Sequence, residues 1–352
     1  MNEQFERYFG ILASILTILG FLITLFLLPS EYKMLGFIVT LIIFQIFFFY
    51  IAYYFGKSKG SLPIAAEENP KQKFIVSLLE FLKRMKEENE NAEIIRFGVA
   101  LSKPLWLSQN YKTRKIVGDF IYDAAINSDN KNVMIKALID DIGWTQVELG
   151  HYDKSEKKIT RGLELAKLYS NGYYLAKGYR HLFGLYFRRG LLEKAENYLL
   201  EAIKFTNDFD DGKKKDELVA EIHFAKSSLE HKKGNLEESL KEIELAEKIY
   251  CSLPNKEWLI KILARKGEIL ISKNEIDEAY EIFTRGLEDS RKYHFNRQIV
   301  KNLIGLGKCK YEYKNIDEAK EYFDKAFFIA NEIGMYYEKS LVTQEIEKIN
   351  NL

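Results

Sequence analysis

The feature that most constrains this chain is a recurrence of small residues at an interval near 40. Ser155, Ala195, Ser239, Ala279 and Ala319 are separated by 40, 44, 40 and 40 residues. Four residues after each stands an apolar side chain: Ile159, Leu199, Ile243, Phe283 and Phe323. Three further on comes a second small residue: Gly162, Ala202, Ala246, Gly286 and Ala326. Steps of four and three place all three on one helical face. A short turn with Gly or Asn precedes each set, at Gly150, Gly190, Gly234-Asn235, Asn274 and Asn315. Small residues let antiparallel helices approach closely, and the apolar residue one turn later fills the groove between them. The Gly or Asn ends the first helix by taking a positive φ. One such pair cannot bury its own core, so the units must stack. The periodicity is helical from about Ala92 onward, with no alternating strand pattern. The expected fold class is all-α, with an α-solenoid of stacked helix pairs over 92–352.

These residues resemble the tetratricopeptide repeats (TPR). The A-x3-F-x2-A part of that pattern occurs in the five sets above. The apolar-x2-L-G part of the first helix appears as Ile139-x2-Ile142-Gly143, Leu263-x2-Lys266-Gly267 and Leu303-x2-Leu306-Gly307. It is looser in Tyr179-x2-Leu182-Phe183 and nearly lost around His223. The family's closing proline is absent, and the interval exceeds its usual length of about 34. A degenerate unit is expected from about Ala92 to Asp129, and a capping helix from Met335 to Ile349. Leu105-Trp106-Leu107 and Tyr111, with Gly143-Trp144, resemble the start of repeat arrays appended to bacterial signalling ATPases and regulators.

The first fifth of the chain is of another material. Tyr8 to Leu28 is an uncharged run of 21 residues, and Met34 to Gly56 a second of 23. Each is long enough, at about 1.5 Å per residue, to cross a hydrocarbon core of roughly 30 Å. Pro29 to Lys33 forms a polar turn between them. The pattern predicts a transmembrane hairpin over 1–56. A cleaved signal peptide fits less well, because the first run is long and a second follows at once. Arg7, Lys57 and Lys59 flank the pair, which predicts an integral protein of a bacterial cytoplasmic membrane with both termini and the solenoid in the cytoplasm. Gly10, Ala13, Thr17, Gly20 and Thr24 form a small-residue stripe on the first span, and Gln45 sits near the middle of the second. They zip the hairpin together or assemble several hairpins, as a homo-oligomer around a pore. Residues 57–91 read as a linker with Pro63 and Pro70, ending in an amphipathic helix from about Lys71 to Glu88. That helix lies on the membrane or packs on the solenoid.

Chemistry is sparse. The net charge of +1 gives no general attraction to nucleic acid. Cys251 and Cys309 form no metal or disulfide framework. His151, His181, His223, His231 and His294 show neither H-E-x-x-H nor a Cys/His spacing, so no metal or cofactor is expected. Gly305-Leu306-Gly307-Lys308-Cys309 lacks the first glycine of a phosphate loop, and Cys309 stands where the Mg²⁺-binding hydroxyl belongs. The chain is expected not to be an enzyme.

The resemblance implies a concave face lined by the first helix of each pair. Transferred repeat by repeat, the face comprises Asp140, Asp141, Trp144 and Glu148, then Lys177, Arg180, His181 and Arg188. Glu221, Phe224, Ser228 and Lys232 follow, then Lys261, Arg265 and Glu268, and last Lys301, Lys308 and Tyr311. Its surplus of cations favours an acidic protein or peptide partner. Lys261 and Arg265 match two positions of TPR carboxylate clamps, but Ala225 and Gly184 stand where the clamp has asparagines. The expected function is therefore a membrane-anchored scaffold, adaptor or sensor that binds a protein or peptide. The alternative is a membrane-perturbing effector, as in bacterial defence, whose solenoid senses a trigger while its hairpins oligomerise.

Overall fold

The computed structural model describes residues 70–351, apart from 211 and 254. These residues are helical, in the order α1 (Pro70–Glu87), α2 (Asn91–Leu107), α3 (Tyr111–Asn127) and α4. Helix α4 runs without a break through Lys131–Lys136, a π-helical stretch Ala137–Trp144, and Thr145–Glu148. There follow α5 (Tyr152–Leu168), α6 (Gly172–Arg188), α7 (Leu192–Phe205), α8 (Gly212–Lys233) and α9 (Leu236–Cys251). The rest are α10 (Lys256–Ser272), α11 (Ile276–Lys292), α12 (Asn296–Glu312), α13 (Ile316–Glu332) and α14 (Tyr336–Asn350).

The expected spans 8–28 and 34–56, with Gly10, Ala13, Thr17, Gly20, Thr24 and Gln45, lie outside the described residues. The placement as an integral membrane protein is corrected: among the described residues no helix is long and apolar enough to cross a membrane. The reason is charge. Helix α8, the longest among the described residues at 22, carries ten charged side chains, and α1 carries seven in 18. Helix α1 instead buries Leu78 and Leu82, the latter in one cluster with Ile94, Val117 and Ile121 of α2 and α3.

The pairs are α2–α3, α4–α5, α6–α7, α8–α9, α10–α11 and α12–α13. Their close approach is measured by what a methyl group would meet. A Cβ at Gly143 would lie 2.6 Å from Ile159, one at Gly267 2.6 Å from Phe283, and one at Gly307 2.5 Å from Phe323. Ser155 Oγ and Ser239 Oγ donate across the α4–α5 and α8–α9 interfaces to the carbonyls of Gly143 and Ser227, each at 2.8 Å. Phe283 and Phe323 are fully buried and contribute about 1.5–3 kcal/mol apiece. The Gly305-to-Cys309 segment lies inside α12, its two glycines packed on Phe283 and Phe323, so it is helix and not a phosphate loop.

Helices end where the turn residues allow. Gly150, Gly190, Gly234 and Asn274 have φ of 75°, 75°, 84° and 64°. The fifth turn corrects the reading. Lys314 takes the positive φ of 61°, while the Asn315 side chain caps α13 by accepting from the Glu318 N–H. Asparagine serves as well at an N-cap as in the left-handed position, and here the helix that follows claims it.

The solenoid curls until its last helices meet its first. Asn296 Nδ2 at the start of α12 donates to Gln109 Oε1 (3.3 Å), and Arg297 Nη2 donates to Glu148 Oε2 at the end of α4 (2.6 Å). Tyr336 of α14 packs on the turn at Gly150, where a Cβ would come within 2.7 Å of its ring, and Tyr337 lies under the Arg188 guanidinium at 4.9 Å. The inner face is thereby turned into an interior groove.

Candidate functional site

The groove holds a cavity of about 320 Å³. Trp106, Trp144 and Trp258 line it, and these are all the tryptophans of the chain. The expected Trp144, Lys177, Arg180, His181, Arg188 and Lys261 are brought together in its wall. Arg265 stands beside it, 2.5 Å from Glu268 and 5.5 Å from the Phe224 ring. Lys232 is exposed and outside the cavity. Lys308 turns to Glu345 (3.2 Å) and lines a separate space of about 180 Å³ with Tyr311.

The π-helical stretch of α4 shapes one wall. Asp140, Asp141 and Trp144 of this stretch line the cavity, while Ile139 and Ile142 stay in the core. Asp141 is fully buried and accepts from Ser102 Oγ (2.5 Å), Arg114 Nη2 (3.0 Å) and Lys136 Nζ (2.7 Å). Neighbouring first helices are tied by pairs one repeat apart. His181 Nε2 meets Asp140 Oδ1 at 2.8 Å, Lys177 reaches Asp140 at 3.1 Å, and Arg180 meets Glu221 at 2.5 Å. Arg188 grips Glu148 with both Nη atoms at 2.9 and 3.0 Å.

Burial pushes the Asp140 carboxyl up, but the Lys177 charge and the His181 hydrogen bond outweigh it and hold the group far below the ordinary carboxylate range. Glu148 is held down in the same way by Arg188 and Arg297. His181 is driven down to about 4 by burial and the Arg180 charge. Its ring is neutral at pH 7, so Nε2–H donates to the Asp140 carboxylate. The ring stacks on Trp144 (4.7 Å, 14°), and Arg180 and Arg188 lie over the same indole at 5.2 Å.

Nine Lys and Arg side chains line the cavity against five Asp and Glu. Six of the nine are tied to a carboxylate: Arg114 and Lys136 to Asp141, Lys177 to Asp140, Arg180 to Glu221, Arg188 and Arg297 to Glu148. Lys103 is exposed. Lys261 and Lys301 are half-buried with no carboxylate within ion-pair distance. Lys261 lies 3.5 Å from the Trp258 ring centroid and 4.4 Å from that of Phe224. Burial, then the charges of Lys301 and Arg180, pull its ammonium well below the ordinary lysine value. Burial lowers Lys301 too, against the opposing pull of Glu338 and Glu268.

Transfer by repeat position missed Trp106, Arg114, Trp258, Arg297 and Gln298. Trp258 sits three residues before Lys261 on the same helical face, a spacing that could have found it. Arg297 and Gln298 enter from the first turn of α12, which only the curl of the solenoid brings inward. Among the described residues no group of three His, Cys, Asp or Glu could hold a metal ion.

No family model matches the sequence, and no curated protein matches it. Solved structures do. A Rap protein complexed with Competence and Sporulation Factor aligns over 77% of this chain and 79% of its own, at 11% identity and a TM-score of 0.54. A signal transduction ATPase with a tetratricopeptide repeat sensor from Pyrococcus horikoshii aligns over 79% of this chain and 43% of its own, at 19% identity and 0.49. Yeast Tom70 aligns over 84% and 68%, at 18% and 0.41. The fold is an all-α solenoid of TPR-like helix pairs.

Proposed function

We propose that this chain is a binding scaffold or sensor whose interior groove receives an acidic segment of a protein or peptide. The observation that carries the reading is the charge of the cavity: nine cations against five carboxylates, enclosed by repeat walls. A low-dielectric enclosure strengthens that field and favours an anionic occupant. The fold accommodates a bound factor in the Rap complex. Binding is favoured over catalysis because four of the five cavity carboxylates, Asp140, Asp141, Glu148 and Glu221, are each tied to a cation, which makes them poor proton acceptors.

Titration of the full-length chain with an oligoglutamate peptide, followed by tryptophan fluorescence, tests this. The expected result is a saturable change that weakens with added salt and is absent for oligolysine. A flat oligoglutamate titration would sink the reading.

A further inference from the structure

Two cations stand apart from the ionic lattice of the groove. Lys261 on α10 and Lys301 on α12 occupy equivalent positions 40 residues apart. Both line the cavity, both are half-buried, and neither has a carboxylate within ion-pair distance, although Glu221 and Glu257 act on Lys261, and Glu338 and Glu268 on Lys301, from farther off. Of all the charges near Lys261, that of Lys301 opposes its own most strongly. Two like charges held together in a sheltered cavity are destabilising unless something neutralises them. One turn before Lys301 stands Gln298, which is 1% exposed, lines the same cavity, and has no hydrogen-bond partner at Oε1. A buried amide left short of a bond is the kind of group a ligand completes, and rotation of its terminal torsion presents either donor or acceptor.

We propose that Lys261 and Lys301, with Gln298, form a binding site for a phosphoryl group. The inference rests on the groove as the ligand-binding face and adds the chemical class of the group anchored there. Two ammonium groups that both lack an ion-pair partner favour a dianion with several acceptor oxygens over a single carboxylate. A phosphate monoester carries about −1.5 to −2 at neutral pH and three acceptor oxygens. The side-chain types point the same way. The one carboxylate of this cavity gripped by both Nη atoms of a guanidinium among the described residues is Glu148, held by Arg188. Lysine is a compact charge on a flexible stem and suits a tetrahedral anion approached from any side. The indole of Trp258 lies against the Lys261 ammonium without neutralising it.

The test uses full-length protein and inorganic phosphate at constant ionic strength, read by tryptophan fluorescence and by thermal melting. Wild type is expected to show a saturable fluorescence change and a raised Tm. K261M and K301M should each weaken the apparent affinity at least ten-fold, while K248M, on the exposed face of α9, keeps it. Both cavity variants remove an unpaired charge, so they should melt no lower than wild type, and the melting curves show that they fold. Absence of a phosphate response in wild type, or an equal response in both variants, overturns the proposal. An equal response to malonate also overturns it, in favour of paired carboxylates. If oligoglutamate binds and phosphate does not, this inference alone falls; if neither binds, the groove reading falls with it. An oligoglutamate carrying one phosphoserine identifies the source. Tighter binding than both parent probes places the phosphoryl group on a polypeptide, and binding equal to free phosphate places it on a small phosphate ester.

Discussion

At the scale of single residues, the groove shows how neighbours decide what a charge does. By repeat position His181 is expected on the partner-binding concave face. It is 2% exposed, sits among Lys177 and Arg180, and donates to a carboxylate that Lys177 already balances. Its pKa falls to about 4, below the ordinary 6.5. The unfolded chain therefore takes up this proton first as pH drops. Stability is complete above about pH 6.5 and declines as pH falls toward 4. The contribution of His181 to that decline is on the order of 3 kcal/mol. H181Q keeps a donor toward Asp140 and does not titrate, so urea unfolding between pH 4 and 7 is expected to show a flatter dependence than wild type. His231, also lowered to about 4 by burial and Arg265, leaves a residual slope of the same sign. Cation positions in the groove were legible from repeat spacing. Their pairing was legible in principle too, since the partners of His181, Arg188 and Arg180 lie 41, 40 and 41 residues away, one repeat in each case.

At the scale of elements, the helix pairs could be read from the sequence because close packing demands small residues at fixed steps. The π-helical stretch of α4 could not. Ile135, Leu138, Ile139 and Ile142 still recur at 3, 1 and 3, as in any amphipathic α-helix, and all are buried. Nor could the non-glycine turns at Ser170, His294 and Lys314, where the left-handed position carries no residue that advertises it. The π stretch is held from outside by Arg114 of α3. Its guanidinium donates to the Ser102 carbonyl on α2 (3.2 Å), to the Asp140 carbonyl (2.9 Å), to Asp141 and to Thr145 Oγ1. Replacing it removes all of these bonds together, although Asp141 keeps Lys136 and Ser102. R114M is expected to cost about 1.5–3 kcal/mol. R114K, which keeps the charge but not the fork, should lose less. Guanidinium unfolding with a circular-dichroism readout ranks the three proteins.

At the scale of the molecule, closure of the solenoid was invisible to sequence reasoning. The groups that make it are 149 residues apart at Glu148–Arg297 and 187 at Gln109–Asn296, and curvature sums small rotations over every pair between them. Arg297 is the centre of the closure. It bonds Glu148, lies 3.5 Å from Glu338 of α14, and covers the Trp106 ring at 5.7 Å. Its loss has unequal consequences for its two carboxylates. Glu148 keeps the bidentate grip of Arg188, whereas Glu338 is 1% exposed and has no hydrogen bond to either oxygen. R297M should therefore leave a buried charge at the junction and release α14 from the first repeats. The expected result is a lower denaturation midpoint together with a larger radius of gyration by small-angle X-ray scattering. Removing both charges tests whether the ion pair or the packing of Tyr336 and Tyr337 holds the ring shut. If the uncompensated carboxylate is what opens it, R297M/E338L recovers part of the midpoint and the compact radius. If the double variant is as open as R297M, the guanidinium itself closes the groove, through Glu148 and Trp106, and a ligand that competes for Arg297 would also loosen the ring.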